Sequence, residues 1–287
     1  MKILKKILKY FVPPIIVFCI KRLIQKTIDI LVSINLFPLV DKNEIIKLKK
    51  LKKDYKKCFI IGSGPSVKNQ DLSKIKNHFT IVHNAFYLVR NNYEMTPNLY
   101  VIEDYLPAAD NSLELNKIND IKFVVPYQLK KYIHKKPNVT YINFDYSYIK
   151  DYKNDKDYFG KYLFSQDLSL KGFWGGTVVY LSLQIANYLE FKEVYLLGVD
   201  LSWTIPKSAK IEGAVITSTE DDPNHFHDNY FGKGKRWHLP RVERYKIGIE
   251  NAIRELNQKG VKVYNCSPVS NIQGAKNLDF DKLMHEK

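Results

Sequence analysis

Short apolar runs that each end in polar residues are the feature that most constrains the fold of this chain. Four of them lie in its first half, at residues 58–61, 79–83, 99–102 and 123–125. They alternate with polar or helical segments, which is typical of a parallel sheet with helices on both faces. The second half continues the pattern with helices over 178–188 and 243–259 and strands over 193–197 and 261–264. The sequence therefore predicts an α/β protein with a doubly wound, mostly parallel, Rossmann-like sheet.

A glycine-rich turn, Gly62-Ser63-Gly64-Pro65-Ser66, follows the first predicted strand directly, and residues 71–75 then begin a helical stretch. Glycine lets a phosphate approach the backbone closely, and free amides at a helix start favour negative charge. The Ser63 and Ser66 hydroxyls add donors, whereas the Gly-Lys-Ser/Thr of a Walker A loop is missing. The turn predicts a nucleotide-phosphate site, with a plain strand-to-helix turn as the alternative.

Polar residues at the ends of the next strands are further candidates for this site. Asn84 follows the second strand, and Glu103 and Asp104 follow the third. Parallel sheets bind ligands at the carboxyl ends of their strands. We expect Asn84 to contact a base or ribose and the two acids to contact ribose or a metal, unless they cap the strand ends.

A second glycine-rich turn, Gly175-Gly176-Thr177, precedes the helix predicted over residues 178–188. A helix N-terminus is a ready anion site, so this turn is a second candidate phosphate site, with a simple hinge before a core helix as the alternative. Asp200 follows the strand at 193–197. It is the acidic candidate for chemistry in this half, unless it is a structural cap.

Residues 220–238 show no helical or strand period, and we predict a functional lid loop spanning about 203–240. Three histidines there are candidate general bases: His225, His227 and His238. Three cations are candidates to neutralise a departing phosphate: Lys233, Lys235 and Arg236. Alternating histidines in a loop indicate a metal site only weakly, and none is predicted.

Charge separates residues 1–57 from a catalytic domain at 58–287. The first part has 15 Lys/Arg against 4 Asp/Glu, which accounts for +11 of the net charge of +15. Its uncharged stretches are too short to span a bilayer. Its basic amphipathic helical pattern predicts peripheral association with an anionic membrane at the cytoplasmic face. Packing on the domain or a homo-oligomer surface is the alternative, and the charge does not favour nucleic acid. The three cysteines are too few for a disulfide framework.

The first glycine-rich turn, Glu103-Asp104 and two long blocks together resemble the MptE-like family from about residue 58 to 280. The blocks are GGTVVYLSLQIANYLEFKEVYLLGVD and EDDPNHFHDNYFGKGKRWH. Members include an archaeal 6-hydroxymethylpterin diphosphokinase, and related bacterial motility-associated factors are implicated in attaching nonulosonic sugars to flagellin.

The same frame is similar to bacterial lipooligosaccharide sialyltransferases, which use CMP-sialic acid without a metal. That resemblance implies that Gly64-Pro65-Ser66 and Asn84 hold CMP, that Gly175-Gly176-Thr177 is the small-residue turn, and that His238 is the catalytic histidine. Two lid tyrosines of those enzymes have no match after Asp200, where Ser202-Trp203 stand.

Three functions follow as hypotheses. The first is a glycosyltransferase that moves a nonulosonic sugar from a CMP-sugar donor to a surface-polysaccharide or lipid-linked glycan, with no obligatory cofactor. His238, His227 or Asp200 would be its base, and Lys233, Lys235, Arg236 and both turns would stabilise the phosphate. The second is an ATP- and Mg²⁺-dependent pyrophosphokinase with metal on Glu103, Asp104, Asp200, Asp221 and Asp222. The third is a non-catalytic binding module on the membrane.

Overall fold

A computed structural model describes residues 40–146 and 162–285, together with the single positions Ile16, Leu23 and Thr27. The chain divides into two compact units, Met1–Lys42 and Asn43–Lys287, and the account below concerns the second. The amphipathic pattern predicted for the N-terminal segment falls almost wholly outside the described residues and stays a prediction. None of the described helices is long and apolar enough to cross a membrane.

Strands in the described ranges are, in chain order, β1 (Lys57–Ile61), β2 (Phe79–His83), β3 (Leu99–Val101), β4 (Lys122–Pro126), β5 (Val139–Ile142), β6 (Phe144–Asp145), β7 (Gly172–Phe173), β8 (Glu193–Leu197), β9 (Lys210–Glu212), β10 (Val215–Thr217), β11 (Arg236–His238), β12 (Lys262–Asn265) and β13 (Lys276–Asn277). Eight of them form one sheet in the order β13-β12-β8-β1-β2-β3-β4-β5. Every pairing in it is parallel, which confirms the predicted sheet.

The strand order reverses at β1, which pairs with β2 on one side and β8 on the other. Loops that leave the carboxyl ends of β1 and β8 therefore diverge to opposite sides, and a cleft opens between them. The strands at this centre are buried on both faces, and all five residues of β2 are inaccessible to solvent. This is why they appear in the sequence as short, nearly continuous apolar runs.

Aromatic side chains join the central strands across one face of the sheet. Tyr195 of β8 stacks on Phe59 of β1 and on Tyr264 of β12, with ring centroids 4.8 and 4.7 Å apart. Tyr100 and Phe123 stack in the same way at 4.8 Å between β3 and β4. Each such pair adds about 0.5–1.5 kcal/mol beyond simple burial, so these stacks help to fix the register.

The described helices are α1 (Lys42–Lys47), α2 (Tyr105–Asp110), α3 (Ser112–Lys117), α4 (Val178–Tyr188), α5 (Val242–Gln258) and α6 (Phe280–His285). Helix α4 has the predicted bounds and is buried nearly all round, because it packs between the sheet and α5. Its sequence, VVYLSLQIANY, is correspondingly apolar throughout.

The helical stretch predicted after β1 is not an α-helix. Two short 3-10 helices, Pro65–Asn69 and Leu72–Ile75, take its place. The second begins at Asp71, whose side chain accepts a hydrogen bond from the Ser73 amide at 3.1 Å. Further 3-10 turns occur at Leu48–Leu51, Phe86–Leu88, Arg90–Tyr93 and Tyr127–Leu129. The first strand connection is therefore too tight to present a long helix dipole.

The segment predicted as a lid loop contains a small antiparallel sheet of order β11-β10-β9. Ile216 of β10 pairs with Trp237 of β11, and both side chains are buried. Residues 220–235 contain no helix or strand, as predicted, whereas β9, β10 and β11 were not predicted because each strand has only three residues. An alternation of that length is too short to recognise in a sequence.

Candidate active site

A cavity of about 180 Å³ opens where the strand order reverses, at the carboxyl ends of β1, β2, β3 and β8. The structure brings many of the predicted site residues together in its wall: Gly62, Ser63, Gly64, Asn84, Glu103, Asp104, Gly176, Thr177, Asp200 and His238. Others are not part of the lining: Pro65, Ser66, Gly175, His227, Lys235 and Arg236.

Asp200 holds the first glycine-rich turn in place. Its carboxylate accepts hydrogen bonds from the Ser66 amide at 2.9 Å and from the Ser66 hydroxyl at 2.5 Å. Both side chains are buried. A Cβ on Gly64 would lie 2.3 Å from the Asp200 carboxylate, so only glycine fits at that position. The arrangement gives Asp200 a structural partner on each oxygen and makes it a positioning residue for the turn.

The amides of Gly62 and Gly64 in the first turn donate to carbonyls of the protein. The Gly62 amide donates to the Leu197 carbonyl at 2.7 Å, and the Gly64 amide donates to the Gly198 carbonyl at 2.8 Å. A Cβ on Gly62 would lie 2.4 Å from the Gly198 oxygen. The expectation of free amides around a phosphate is therefore corrected at Gly62 and Gly64, because the β8 loop takes those donors. The two glycines are explained by close contact with that loop.

The second glycine-rich turn faces the cavity with a helix behind it. Gly176 has a left-handed backbone with φ of +91°, which turns the chain into α4. Thr177 is the N-cap, and its hydroxyl accepts a hydrogen bond from the Val179 amide at 3.4 Å. Gly175 packs on the inside, where a Cβ would meet the Tyr180 ring. Gly176, Thr177 and the first residues of α4 line the cavity, so the start of an 11-residue helix adjoins it.

Two of the five described non-glycine residues with a left-handed backbone line this cavity. Asn84 and Leu201 are cavity residues with left-handed backbones, at φ of 46° and 50°. Asn84 is held there by the Tyr100 hydroxyl, which donates to its carbonyl at 2.6 Å. A left-handed leucine is costly, and such residues cluster at ligand sites.

Buried polar atoms in the cavity wall are without partners. Among the described residues these include Asn84 Oδ1, Glu103 Oε2 and the indole nitrogens of Trp203 and Trp237. Buried polar groups are normally hydrogen-bonded, so a wall with several unsatisfied atoms indicates a polar ligand.

His238 reaches the cavity from β11 and is oriented by Asp104. Its Nδ1 lies 2.8 Å from Asp104 Oδ2, and its Nε2 lies 3.4 Å from the Tyr105 hydroxyl. The hydrogen bond to Asp104 raises the pKa of His238 above its usual value, against the opposing effect of burial. Asp104 also caps α2, because its Oδ1 accepts from the Leu106 amide at 2.9 Å. The carboxylate thus has the predicted capping role and also a partner in the site.

Glu103, the residue before Asp104, is a buried acid whose pKa is raised. It is only 4% exposed, and burial, followed by repulsion from Asp104, raises its pKa to about 8. A hydrogen bond with the Trp174 side chain opposes this shift. A buried acid with a strongly raised pKa in a cavity wall is a common mark of functional sites.

The lid cations Lys235 and Arg236 contact α2 and its C-terminal end instead of the cavity. Arg236 forms an ion pair with Asp110, with Nε 3.2 Å from Oδ1. Lys235 donates to Asn111 Oδ1 at 2.7 Å, and burial lowers its pKa. They attach the small sheet to the main domain. The expectation that they face a departing phosphate is not met in this arrangement, whereas Lys233 is exposed.

The other two lid histidines differ from each other. His225 lies in the cavity wall, with Nδ1 2.6 Å from Asp222 Oδ2 and its ring stacked on Tyr230 at 4.0 Å. Burial alone would raise the pKa of Asp222, but hydrogen bonds from His225 and nearby amides lower it. His227 faces away, and its Nδ1 accepts from the Asn229 amide at 3.0 Å. The geometry therefore disfavours His227 as a base.

A second chamber of about 610 Å³ adjoins the first. The two share a wall that contains Glu103, Asp104, Gly176, His238 and Tyr245. Aromatic side chains line the second chamber, namely Tyr105, Tyr132, Tyr146, Trp174 and Tyr245, together with the cations Lys131, Arg241 and Arg244. The described residues that line the first cavity include no lysine or arginine. A pair of joined chambers suits two substrates that meet at the shared wall.

Sequence reasoning did not identify the second chamber. Its aromatic residues come from separate elements and share no local motif. The one available signal was Trp174, which directly precedes the second glycine-rich turn.

The chain is similar to one protein family and to two solved structures. A family model described as 6-hydroxymethylpterin diphosphokinase MptE-like matches residues 34–206. No curated protein matches the sequence significantly. A solved MAf glycosyltransferase from Magnetospirillum magneticum AMB-1 is 18% identical, with a TM-score of 0.49, over 79% of this chain and 34% of that one. The chain thus spans about a third of that protein.

The sialyltransferase CstII from Campylobacter jejuni, solved in complex with a substrate analogue, cytidine-5'-monophosphate, is a second similar structure. It is 17% identical with a TM-score of 0.38, over 78% of this chain and 86% of that chain.

Proposed function

The chain belongs to the MptE-like family, and from that premise we propose that it is a glycosyltransferase. Its donor would be a CMP-activated nonulosonic sugar, and its acceptor a surface-polysaccharide or lipid-linked glycan. The observation that carries this proposal is the shared wall, where one oriented histidine separates a polar cavity from a larger aromatic chamber. The nucleotide would occupy the first and the acceptor glycan the second, since sugar rings pack well on aromatic side chains.

His238 is the proposed general base. Donation of its Nδ1 hydrogen to Asp104 leaves the lone pair on Nε2, which lies at the wall 3.4 Å from the Tyr105 hydroxyl. In the reaction, Nε2 takes the proton of the acceptor hydroxyl while the oxygen bonds to the anomeric carbon of the donor. The bond from that carbon to the phosphate oxygen breaks, and its electron pair stays on the phosphate. The start of α4, at Gly176 and Thr177, would stabilise that charge.

The basic N-terminal segment supports the proposed lipid-linked or surface-polysaccharide acceptor. Residues 1–57 contribute most of the net positive charge, and a membrane-bound acceptor would be reached most easily by an enzyme held at the anionic cytoplasmic surface. A homo-oligomer built through the same segment stays a prediction.

A Mg²⁺-dependent pyrophosphokinase is the second candidate, because the family description names that activity. The five carboxylates predicted to hold a metal do not converge. Asp200 is bonded to Ser66, Asp222 to His225 and Asp104 to His238, while Asp221 is exposed. Among the described residues no group of three or more potential ligands comes together. The residues present do not fit a metal site of that kind, and no step is assigned to one.

A thermal-shift titration tests the proposal. The purified protein is titrated with CMP, CDP, UDP, GDP and ATP, each with Mg²⁺ or with EDTA. A ligand at a hundred times its Kd stabilises the fold by about 2.7 kcal/mol. We expect stabilisation by CMP or CDP in EDTA. It should be lost in Asn84→Ala, which changes the cavity, and kept in Asn92→Ala, which changes an exposed asparagine.

Stabilisation by ATP alone, abolished by EDTA, would contradict the transferase proposal and support the pyrophosphokinase.

A further inference from the structure

Glu103 occupies the wall between the two chambers and has an atom free to meet a ligand. It follows β3, its side chain lines both chambers, and it is 4% exposed. One side-chain interaction is with Trp174. Its Oε2 is buried and has no hydrogen-bond partner among the described residues. A buried carboxyl group in the wall of both chambers, with one oxygen unpartnered, is suited to contact a bound molecule.

The groups around Glu103 explain why it keeps its proton. Asp104, next in the chain, repels a second negative charge. The Tyr146 hydroxyl donates to the main-chain oxygen of Glu103 and therefore does not solvate its carboxyl. The other ionisable groups that line the chambers are His83, Asp200, His225 and Tyr230 in the first, Tyr105, Lys131, Tyr132, Arg241 and Arg244 in the second, and His238 and Tyr245 in both. Burial is the largest influence, and with Asp104 it raises the pKa of Glu103 to about 8.

We infer that Glu103 is an uncharged hydrogen-bond donor to an anionic oxygen of the donor substrate, held at the wall where the glycosidic bond forms. The inference rests on the proposed function and adds to it a residue that selects for a negatively charged donor. The anionic oxygen belongs either to the phosphate or to the carboxylate of a nonulosonic sugar.

The chemistry requires no net proton transfer from Glu103. The acceptor proton goes to His238, the electron pair of the broken bond stays on the phosphate, and the Glu103 carboxyl donates a hydrogen bond throughout. A protonated acid can approach an anion closely, whereas its ionised form would repel that anion in a poorly solvated site. Donor binding should therefore weaken as the pH rises through the pKa of Glu103.

Calorimetric titration across pH tests this inference with three ligands. Cytidine has no anionic oxygen, CMP has a phosphate, and CMP-N-acetylneuraminic acid has a phosphate and a carboxylate. For the wild-type protein we expect the Kd of an anionic ligand to rise about tenfold between pH 7.5 and 9, since a pKa of about 8 lies in that interval. Glu103→Gln keeps a donor that does not ionise, so its Kd should lack this rise.

Two controls make the result specific. Glu114→Gln makes the same chemical change at an exposed site on α3 and should behave as wild type. Thermal unfolding checks the fold of Glu103→Gln. The wild-type carboxyl stays protonated in the folded state up to about pH 8 and ionises earlier when unfolded, so wild-type stability falls as pH rises toward 8. The variant escapes this loss and should melt at a higher temperature than wild type at pH 9.

The ligands distinguish the two sources of the anion. If the Kd of CMP rises with pH, the anionic oxygen that Glu103 contacts belongs to the phosphate. If only the Kd of CMP-N-acetylneuraminic acid rises, it belongs to the carboxylate. Either supports the inference. Equal pH profiles for wild type and Glu103→Gln with both anionic ligands would overturn it while leaving the proposed function intact. Failure of every cytidine ligand to bind either protein at any pH would overturn both.

Discussion

The two glycine-rich turns of this protein look alike in sequence and differ in what their amides contact. In the first turn, the amides of Gly62, Gly64 and Ser66 donate to the β8 strand and its loop. In the second, Gly176 and Thr177 begin an 11-residue helix whose first residues line the cavity. A glycine-rich turn therefore indicates close backbone packing, and the neighbouring structure decides whether a ligand or the protein accepts hydrogen bonds from its amides.

The largest effect should come from the chemistry beside the second turn. His238→Ala removes the proposed base, and general-base catalysis typically contributes about 10²–10⁴-fold, so we expect turnover to fall by that factor. Sugar transfer from CMP-N-acetylneuraminic acid to a glycan acceptor measures it. CMP affinity should change little. Full activity in the variant would remove His238 from the mechanism and leave His83 and His225 as the other described histidines of the cavity wall.

Substitutions in the first turn should lower the free energy of unfolding. In Gly62→Ala the new Cβ would lie 2.4 Å from the Gly198 oxygen, which neither backbone can easily avoid. We expect a loss of about 3 kcal/mol in the free energy of unfolding, measured with urea. The matched control is Gly234→Ala, where no atom lies within 4 Å and only the positive φ is strained. Equal losses in the two variants would show that close packing is not the reason for Gly62.

A milder change in the same turn should again affect the fold and spare the ligand. Ser66→Ala removes one of the two hydrogen bonds that Ser66 gives to the buried Asp200 carboxylate. We expect about 2 kcal/mol less stability, with CMP affinity within twofold of wild type. Ser208→Ala, at an exposed serine, is the control. A large loss of CMP affinity with unchanged stability would reverse the roles given to the two turns.

In the second turn, a substitution should affect CMP affinity more than it does in the first turn. Thr177→Ala removes the N-cap of α4, which costs about 1 kcal/mol in the free energy of unfolding. Its CMP affinity should fall more than that of Ser66→Ala, because the helix start adjoins the cavity. Thr204→Ala is the exposed control. Unchanged CMP affinity in Thr177→Ala would separate the helix start from the ligand.

The smallest effect is a shift in pH dependence. Asp104 raises the pKa of His238, and the base must be unprotonated, so wild-type activity should fall as pH drops through that raised pKa. Asp104→Asn removes the charge and keeps a side chain that caps helices well, so the acidic limb of the rate profile should move to lower pH. If the acidic limb of Asp104→Asn lies at the same pH as that of the wild type, a group other than His238 controls it.

The sequence was sufficient for the features that depend on local pattern. Strands β2 and β8 and helix α4 have the predicted bounds, because each is a buried apolar segment with clear polar ends. The gathering of Asn84, Glu103 and Asp104 at one edge followed from the parallel topology. Features set by distant contacts were not predictable. The partner of Ser66 lies 134 residues away, and those of Lys235 and Arg236 lie more than 120 residues earlier.

Short elements were missed for a different reason. The strands of the small sheet have three residues each, and all three residues of β9 are exposed, so hydrophobic alternation is missing there. The 3-10 helices after β1 are equally brief. Backbone hydrogen bonds hold these short strands and 3-10 helices in place, and no pattern of side chains predicts those bonds.

We propose that the start of α4, and not the first glycine-rich turn, receives the phosphate. The most direct test is to follow backbone amide signals by NMR while CMP is added to the ¹⁵N-labelled protein, with cytidine as the reference for effects of the base and ribose. We expect the phosphate-specific shifts to be largest at Gly176, Thr177 and Val178 and small at Gly62 and Gly64. The reverse order would contradict it and restore the first turn as the phosphate site.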